Sequence, residues 1–405
     1  YNYLIMDKIW HKARTILGYQ NVNPSPLMVK FGNKPYVDTR ASFNSLIPEK
    51  LGKKLASKLV NYYLDILSKN PHLYDKVEFE ILFTCYDFNL DSKLSELEKH
   101  GFTKNEIKKI KNVLLDLTNN IISDFPKILK DSQYSVQKLA RNRTEIISNL
   151  KNKNITQSRY LENIEKLLVD CKKFGTLPFS IMARIGFIGS ILLKSIQKDG
   201  YLPPYFESML LNSLSTPISD IRNDVIALND KKITKIQFLK KYGHLRPGTY
   251  DITALRYDDS KNNFFEDVQF PKLKTKHKFD FDNILLSNLL TSHFLNFENI
   301  DFFSFVRDGL IYREKLKFEF TKNLSEALEL IAKVGKTLGF TREEVSNLDI
   351  RTILKSKNLS KSQTRNIWRK KIFQQQEEKL VNDYLSLPPI IFSEKDFDII
   401  QYFIS

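Results

Sequence analysis

Residues 103–117 read TKNEIKKIKNVLLDL, and the character of the whole chain follows from them. Thr103 and Glu106 stand at capping-box spacing, where each side chain accepts a backbone N–H from the other's end of the first helical turn. Ile107, Ile110, Leu114 and Leu117 then recur at intervals of three and four, so they share one face of a helix. The same grammar repeats on both sides. Leu51, Leu55, Leu59, Tyr63 and Leu67 form one stripe, and Tyr160, Leu161, Ile164, Leu167, Leu168 and Cys171 form another, with Gly175 placed to end that helix. Ala327, Leu328, Ile331, Val334 and Leu338 make a fourth stripe, and Thr341 with Glu344 caps a further helix. These stripes are core-forming faces, and they predict a mainly α protein.

Two segments read as extended. Residues 28–31 and 35–38 flank Gly32-Asn33, a tight-turn dipeptide, and predict a hairpin. Val77, Phe79, Ile81 and Phe83 alternate with Glu78, Glu80, Leu82 and Thr84, as strand residues do. The expectation is a helical body with a small sheet within residues 28–84, near the N-terminal third. Residues 150–157 and 258–267 are polar and read as surface loops.

Composition narrows the class. The 405 residues are 42% hydrophobic and 12% aromatic, enough to build a sizeable core. The net charge of +16 comes mostly from lysines dispersed along helix faces, without a basic run interleaved with stacking aromatics, so nucleic acid is not the expected partner. Residues 174–193 are apolar and about long enough to span a bilayer, but Arg184 sits at their centre, where a charge is costly. A buried helix is the expectation, with no membrane partner. Cys85 and Cys171 have neither disulfide nor metal-ligand spacing, which fits a reducing cytoplasm, and no metal site is expected. Gly335-Lys336-Thr337 is no phosphate loop, because Leu330 stands where the first glycine belongs. The acidic cluster Asp258, Asp259, Glu266 and Asp267 lacks calcium-loop spacing.

Chemistry concentrates in residues 241–251, KYGHLRPGTYD. A short helix from Lys235 should stop at Gly243, and Pro247-Gly248 suits a type II turn. Around that turn gather His244, Arg246, Tyr250 and Asp251, with Arg256 close behind. Two guanidiniums on a rigid loop can clamp a phosphoryl group or a carboxylate; alternatively, Asp251 merely pairs with Arg246 or Arg256. Residues 38–48, DTRASFNSLIP, place Arg40 where a strand enters a loop, or else serve helix capping through Ser42 or Ser45. Glu78 and Glu80 share a face of the predicted strand and can meet an ammonium group. Arg184 holds either a substrate carboxylate or a buried glutamate, since an unpaired buried charge is costly.

Several stretches resemble the central region of phosphoenolpyruvate-synthase-like phosphotransferases. They are GNKPYVDTRASFNSLIP (32–48), LVNYYLDIL (59–67), DKVEFEILF (75–83), FLKKYGHLRPGTYDITALRY (238–257) and REKLKFEFTKNLSEALELI (313–331), spread over nearly the whole chain. Within that family the chain is most similar to the L-glutamine kinases of capsular methyl phosphoramidate biosynthesis. The resemblance implies an N-terminal ATP-grasp domain holding ATP and Mg2+, a central acceptor-binding domain, and a C-terminal swivelling domain with a phosphorylated histidine. ATP yields AMP and phosphate, and the phosphoryl group passes through histidine to the glutamine amide nitrogen. None of His11, His72, His100, His244, His277 or His293 has the small-residue surroundings expected of the swivel histidine. The opening YNYL lacks a Met start and reads as a fragment of a longer chain. Residues 1–385 therefore correspond to the acceptor-binding region and 386–405 to a linker toward the swivel domain. On this expectation Arg246 and Arg256 meet phosphoryl oxygens and His244 or Asp251 handles an amide proton. Arg40 or Arg184 takes the acceptor carboxylate, Glu78 or Glu80 its ammonium, and Tyr250 lines the same site. A different small acceptor, or a non-catalytic binding role, is the alternative.

Overall fold

Capped, amphipathic segments leave little backbone for strands, and the computed structural model shows the result over residues 7–22, 26–31, 34–150, 155–259, 283–383, 385–397 and 401–402. Helix accounts for 72% of the described residues. The sheets among the described residues are two antiparallel ribbons of two strands each. Helix α1 (Asp7–Ile16) precedes the hairpin β1 (Met28–Phe31) and β2 (Lys34–Val37), paired in the register Met28 with Val37. Then come α2 (Thr39–Asn44), α3 (Lys53–Lys69), α4 (Val77–Glu80), α5 (Leu90–Ser95) and α6 (Lys104–Asn149). Helices α7 (Gln157–Asp170), α8 (Leu177–Lys198), α9 (Phe206–Ser213), α10 (Pro217–Asn229) and α11 (Lys235–Tyr242) follow. The last third holds α12 (Asn283–Ser292), α13 (Phe302–Leu338), α14 (Arg342–Ser346), α15 (Ile350–Lys355) and α16 (Lys361–Asp383), then the ribbon β3 (Leu385–Ser386) and β4 (Gln401–Tyr402).

The expected capping boxes at Thr103 and Thr341 are both present, and Ile110, Leu114 and Leu117 are buried along α6. The spine is α13. Its first half packs Phe302, Phe305, Val306 and Leu310 into the main core with α3, α6 and α8. Its second half packs Ala327, Ile331, Val334 and Leu338 into a second core around Trp368. Both cores form because α13, at 37 residues, is about 55 Å long.

Two expectations are corrected. Gly175 does not end a helix: α7 continues through a π-helical turn, Cys171–Thr176, into α8. A Cβ on Gly175 would lie 2.4 Å from the Cβ of Phe320, so the glycine serves close approach to α13. Residues 77–83 are not a strand, and the sheet near the N-terminal third ends at Val37. Val77–Glu80 is one helical turn, and Ile81 and Leu82 are both buried, which breaks two-faced alternation. The backbone that follows finds side chains instead of a partner strand. Phe83 N–H donates to the Tyr63 hydroxyl (3.1 Å), Tyr86 N–H donates to Thr118 Oγ1 (2.8 Å), and the Thr84 carbonyl accepts from the Tyr19 hydroxyl (2.7 Å).

The turn Gly32-Asn33, residues 151–154 of the first expected loop and residues 260–267 of the second lie outside the described residues. The continuous helix Gln157–Lys198 has the length and composition of a membrane span, yet half of its apolar window is buried inside the protein. Its lone central charge, Arg184, is paired.

Candidate functional site

A cleft of about 1040 Å³ opens where α1, the hairpin, α4, α8 and α13 meet. Sequence places polar groups on each wall. Helix α1 buries Ile9 and Ala13 in the protein, and Arg14 beside them reaches the cleft. The single turn of α4 presents Glu78, α8 presents Arg184, and α13 presents Arg313. Aromatic rings complete the lining, among them Trp10, Phe31, Tyr36, Tyr74, Phe179 and Phe187.

Glu78 lies between two guanidiniums. Arg184 Nη1 donates to Glu78 Oε2 at 2.5 Å, while Arg14 Nη2 stands 3.7 Å from Oε1. Arg184, 5% exposed, also donates to Thr84 Oγ1 at 3.0 Å, and its Nε finds no acceptor. Arg14 donates to Ser45 Oγ and to the Ser42 carbonyl (3.4 Å). Burial lowers the Arg14 pKa to about 10; Glu78 opposes that shift and the like charge of Arg184 adds to it. It stays charged at neutral pH. Two buried cations thus share one carboxylate, which leaves the cleft electropositive. Arg184 is paired with a glutamate, Glu78, whose side chain is a quarter exposed.

The loop 243–258 lies elsewhere. Helix α11 stops at Gly243 as expected. The turn differs: Gly248 has no positive φ, and the closing bond runs from Asp251 N–H to the Gly248 carbonyl (2.9 Å). The absence of a side chain matters there because a Cβ would meet Asp251 Cβ at 2.9 Å. Arg246 has protein acceptors at both terminal nitrogens, while its buried Nε has none. It donates to the Asp251 and Ala254 carbonyls, to Ser325 Oγ at 3.0 Å and to Glu329 Oε1 at 3.0 Å. Glu329 is shared with Arg342. Arg256 pairs with Glu326 (2.6 Å) and holds Asp258 through two donors. The Asp251 carboxylate accepts from Thr253 N–H and Oγ1, which lowers its pKa.

His244 is buried, with its ring edge-on to Phe318 at 4.9 Å and its Nε2 unpartnered. Burial pushes its pKa down to about 3, and Lys322, Arg256 and Arg143 push in the same direction. At neutral pH it is an uncharged imidazole. Ser325, which anchors this loop on α13, is twelve residues beyond Arg313, about 18 Å along the helix. None of His244, Arg246, Tyr250, Asp251 or Arg256 lines the cleft.

The remaining candidates disperse. Arg40 is exposed on α2 and donates to Asn61 Oδ1 at 2.9 Å. The residue that caps α2 is Asp38, through Ala41 N–H, rather than Ser42 or Ser45. Glu80 is exposed, while Glu78 turns inward: one helical turn separates two residues that a strand would have kept on one face. Tyr250 is 46% exposed. Sequence reasoning named Arg184 and Glu78 and missed Arg14 and Arg313. The available signal for Arg14 was a cation next to buried Ala13 in an amphipathic helix, and Arg313 opens one of the quoted family-like stretches.

Both carboxylates that line the cleft have protein partners: Glu78 meets two arginines, and Asp38 caps its helix N-terminus. No group of three or more His, Cys, Asp and Glu side chains that could hold a metal ion occurs among the described residues. Comparison of the chain with protein-family models, with curated proteins and with solved structures finds no match, so its likeness to the phosphotransferases rests on the quoted stretches alone.

Proposed function

We propose that this chain is the acceptor-binding part of an ATP-dependent phosphotransferase, working in the cytoplasm, and that its cleft takes L-glutamine for phosphorylation on the side-chain amide. The observation that carries this reading is the meeting of Arg14, Glu78 and Arg184 in the cleft. A free amino acid presents a carboxylate and an ammonium about one bond angle apart, and such a pair needs a guanidinium and a carboxylate side by side. Arg14 meets the ligand carboxylate, with Arg184 holding Glu78 in place to accept from the ammonium. The amide nitrogen is a poor nucleophile, so the contribution of this site is to fix its position before the donor arrives. ATP and the phosphohistidine belong to the flanking ATP-grasp and swivel domains in this reading. The loop 243–258 is anchored to α13 through Ser325, Glu326 and Glu329.

Calorimetric titration with L-glutamine tests the proposal. Saturable binding is expected, weakened at least tenfold by Glu78→Gln and by substituting the ligand's α-amine with hydrogen. Absence of binding would overturn it. A second reading is favoured by the size and aromatic lining of the cleft, which exceed what one amino acid fills. A larger acceptor of the same phosphotransferase chemistry would then bind where glutamine does not, and phosphorus NMR of a candidate mixture supplied with the complete donor system would identify it.

A further inference from the structure

The geometry points to a second anion subsite in the cleft, built on Arg313 and suited to a tetrahedral phosphoryl group beside the acceptor. This rests on the acceptor reading above. The arginines of the cleft are not equally satisfied. Arg184 has Glu78 at 2.5 Å and Thr84 at 3.0 Å, and Arg14 has Glu78, Ser45 and Ser42. Arg313 has one ion pair among the described residues, with its own neighbour Glu314 at the long distance of 3.5 Å, and about a third of its side chain is exposed.

It is nevertheless well placed. Its guanidinium carbon and that of Arg184 each stand 5.4 Å from the centroid of the Phe187 ring, so one aromatic side chain orients both. The stem of Arg313 passes over Gly186, where an added Cβ would come within 3.8 Å of its Cδ. A planar fork held at its stem and its face, with donors left over, is a binder of oxyanions. A zwitterionic acceptor adds no net charge, so the surplus positive charge of the cleft remains when the acceptor is bound. A phosphoryl group is the anion that would neutralise it. Arg246 and Arg256 cannot take that part without giving up Glu329, Glu326 and Asp258.

The test titrates the chain with inorganic phosphate and, separately, with L-glutamine, each alone and in the presence of the other. Phosphate is expected to bind the wild-type chain, to bind at least tenfold more weakly to Arg313→Gln, and to recover in part with Arg313→Lys, which restores the charge without the fork. Glutamine affinity should change less than twofold in either variant, and saturating phosphate should not displace it. Thermal denaturation of both variants verifies that they fold. Unchanged phosphate affinity in Arg313→Gln would overturn the subsite, as would displacement of glutamine by phosphate. Loss of glutamine binding in Arg313→Gln would reassign the residue to the acceptor carboxylate. A wild-type chain that binds phosphate but not glutamine keeps the subsite and sinks the acceptor reading; one that binds glutamine but not phosphate does the reverse.

Discussion

Glu78 shows how much one side chain can hold in place. With its carboxylate neutralised to an amide, Arg14 and Arg184 would face each other across a buried site with no counter-charge. Breaking a buried pair from one side typically costs about 3–5 kcal/mol, and the partial exposure of Glu78 puts Glu78→Gln near the lower end, about 3 kcal/mol. The urea midpoint should fall accordingly, and the double variant Glu78→Met/Arg184→Met should lose less than Glu78→Gln alone. Equal or greater loss in the double variant would mean that packing, not charge, dominates. His244 supports a second prediction. Its native pKa is near 3 against an ordinary 6.5, so between those values the unfolded chain binds a proton that the native one refuses. Stability from this group is present above pH 6.5 and is lost as pH falls. The window from 6.5 down to 4.5 lies above the ordinary range of the carboxylates, so the slope there should flatten in His244→Asn. A variant with the wild-type slope would clear His244 of that role.

Among the elements, the continuous helix of α7 and α8 has a local sequence that misleads. A glycine after an apolar stripe ordinarily marks a C-terminus, yet Gly175 sits inside a π turn against Phe320. Gly175→Ala should therefore destabilise the protein by about 1–3 kcal/mol, the usual cost of forcing an extra methyl into a packed interface. Helix propensity alone would make alanine favourable by about 1 kcal/mol, so the sign of the change decides between the two effects. Thermal denaturation reads it directly. The short α4 makes the complementary point. Its alternating pattern is that of a strand, but the tyrosine and threonine hydroxyls waiting around residues 83–86 satisfy the backbone without one.

At the scale of the molecule, α13 joins two cores and the chain's end returns to its beginning. The Tyr36 hydroxyl on β2 donates to the Pro388 carbonyl at 2.7 Å, and Pro389, Ile390 and Ile391 line the cleft beside it. Pro388 and Pro389 have no N–H to extend the hairpin as a third strand, so this contact depends on the tyrosine. Tyr36→Phe should speed hydrogen exchange of the amides at 390–393 several-fold, in keeping with about 1 kcal/mol for one hydrogen bond, while the melting temperature stays within a degree or two. Unchanged exchange would show that Ile390, which packs on the main core, holds the segment by itself.

The periodic stripes, the capping boxes at Thr103 and Thr341 and the hairpin were legible in the chain because each is made by residues a few positions apart. Arg184 was legible as a charge that had to be paired. Its partner was not, since Glu78 is 106 positions away and both glutamates of that segment looked alike until one helical turn separated them. The same holds for Arg246, whose acceptors on α13 lie 79 and 83 positions off. Backbone conformation here answers mostly to near neighbours. The pairing of buried charges answers to whichever groups the packed helices bring within 4 Å, and only the assembled cores fix that distance.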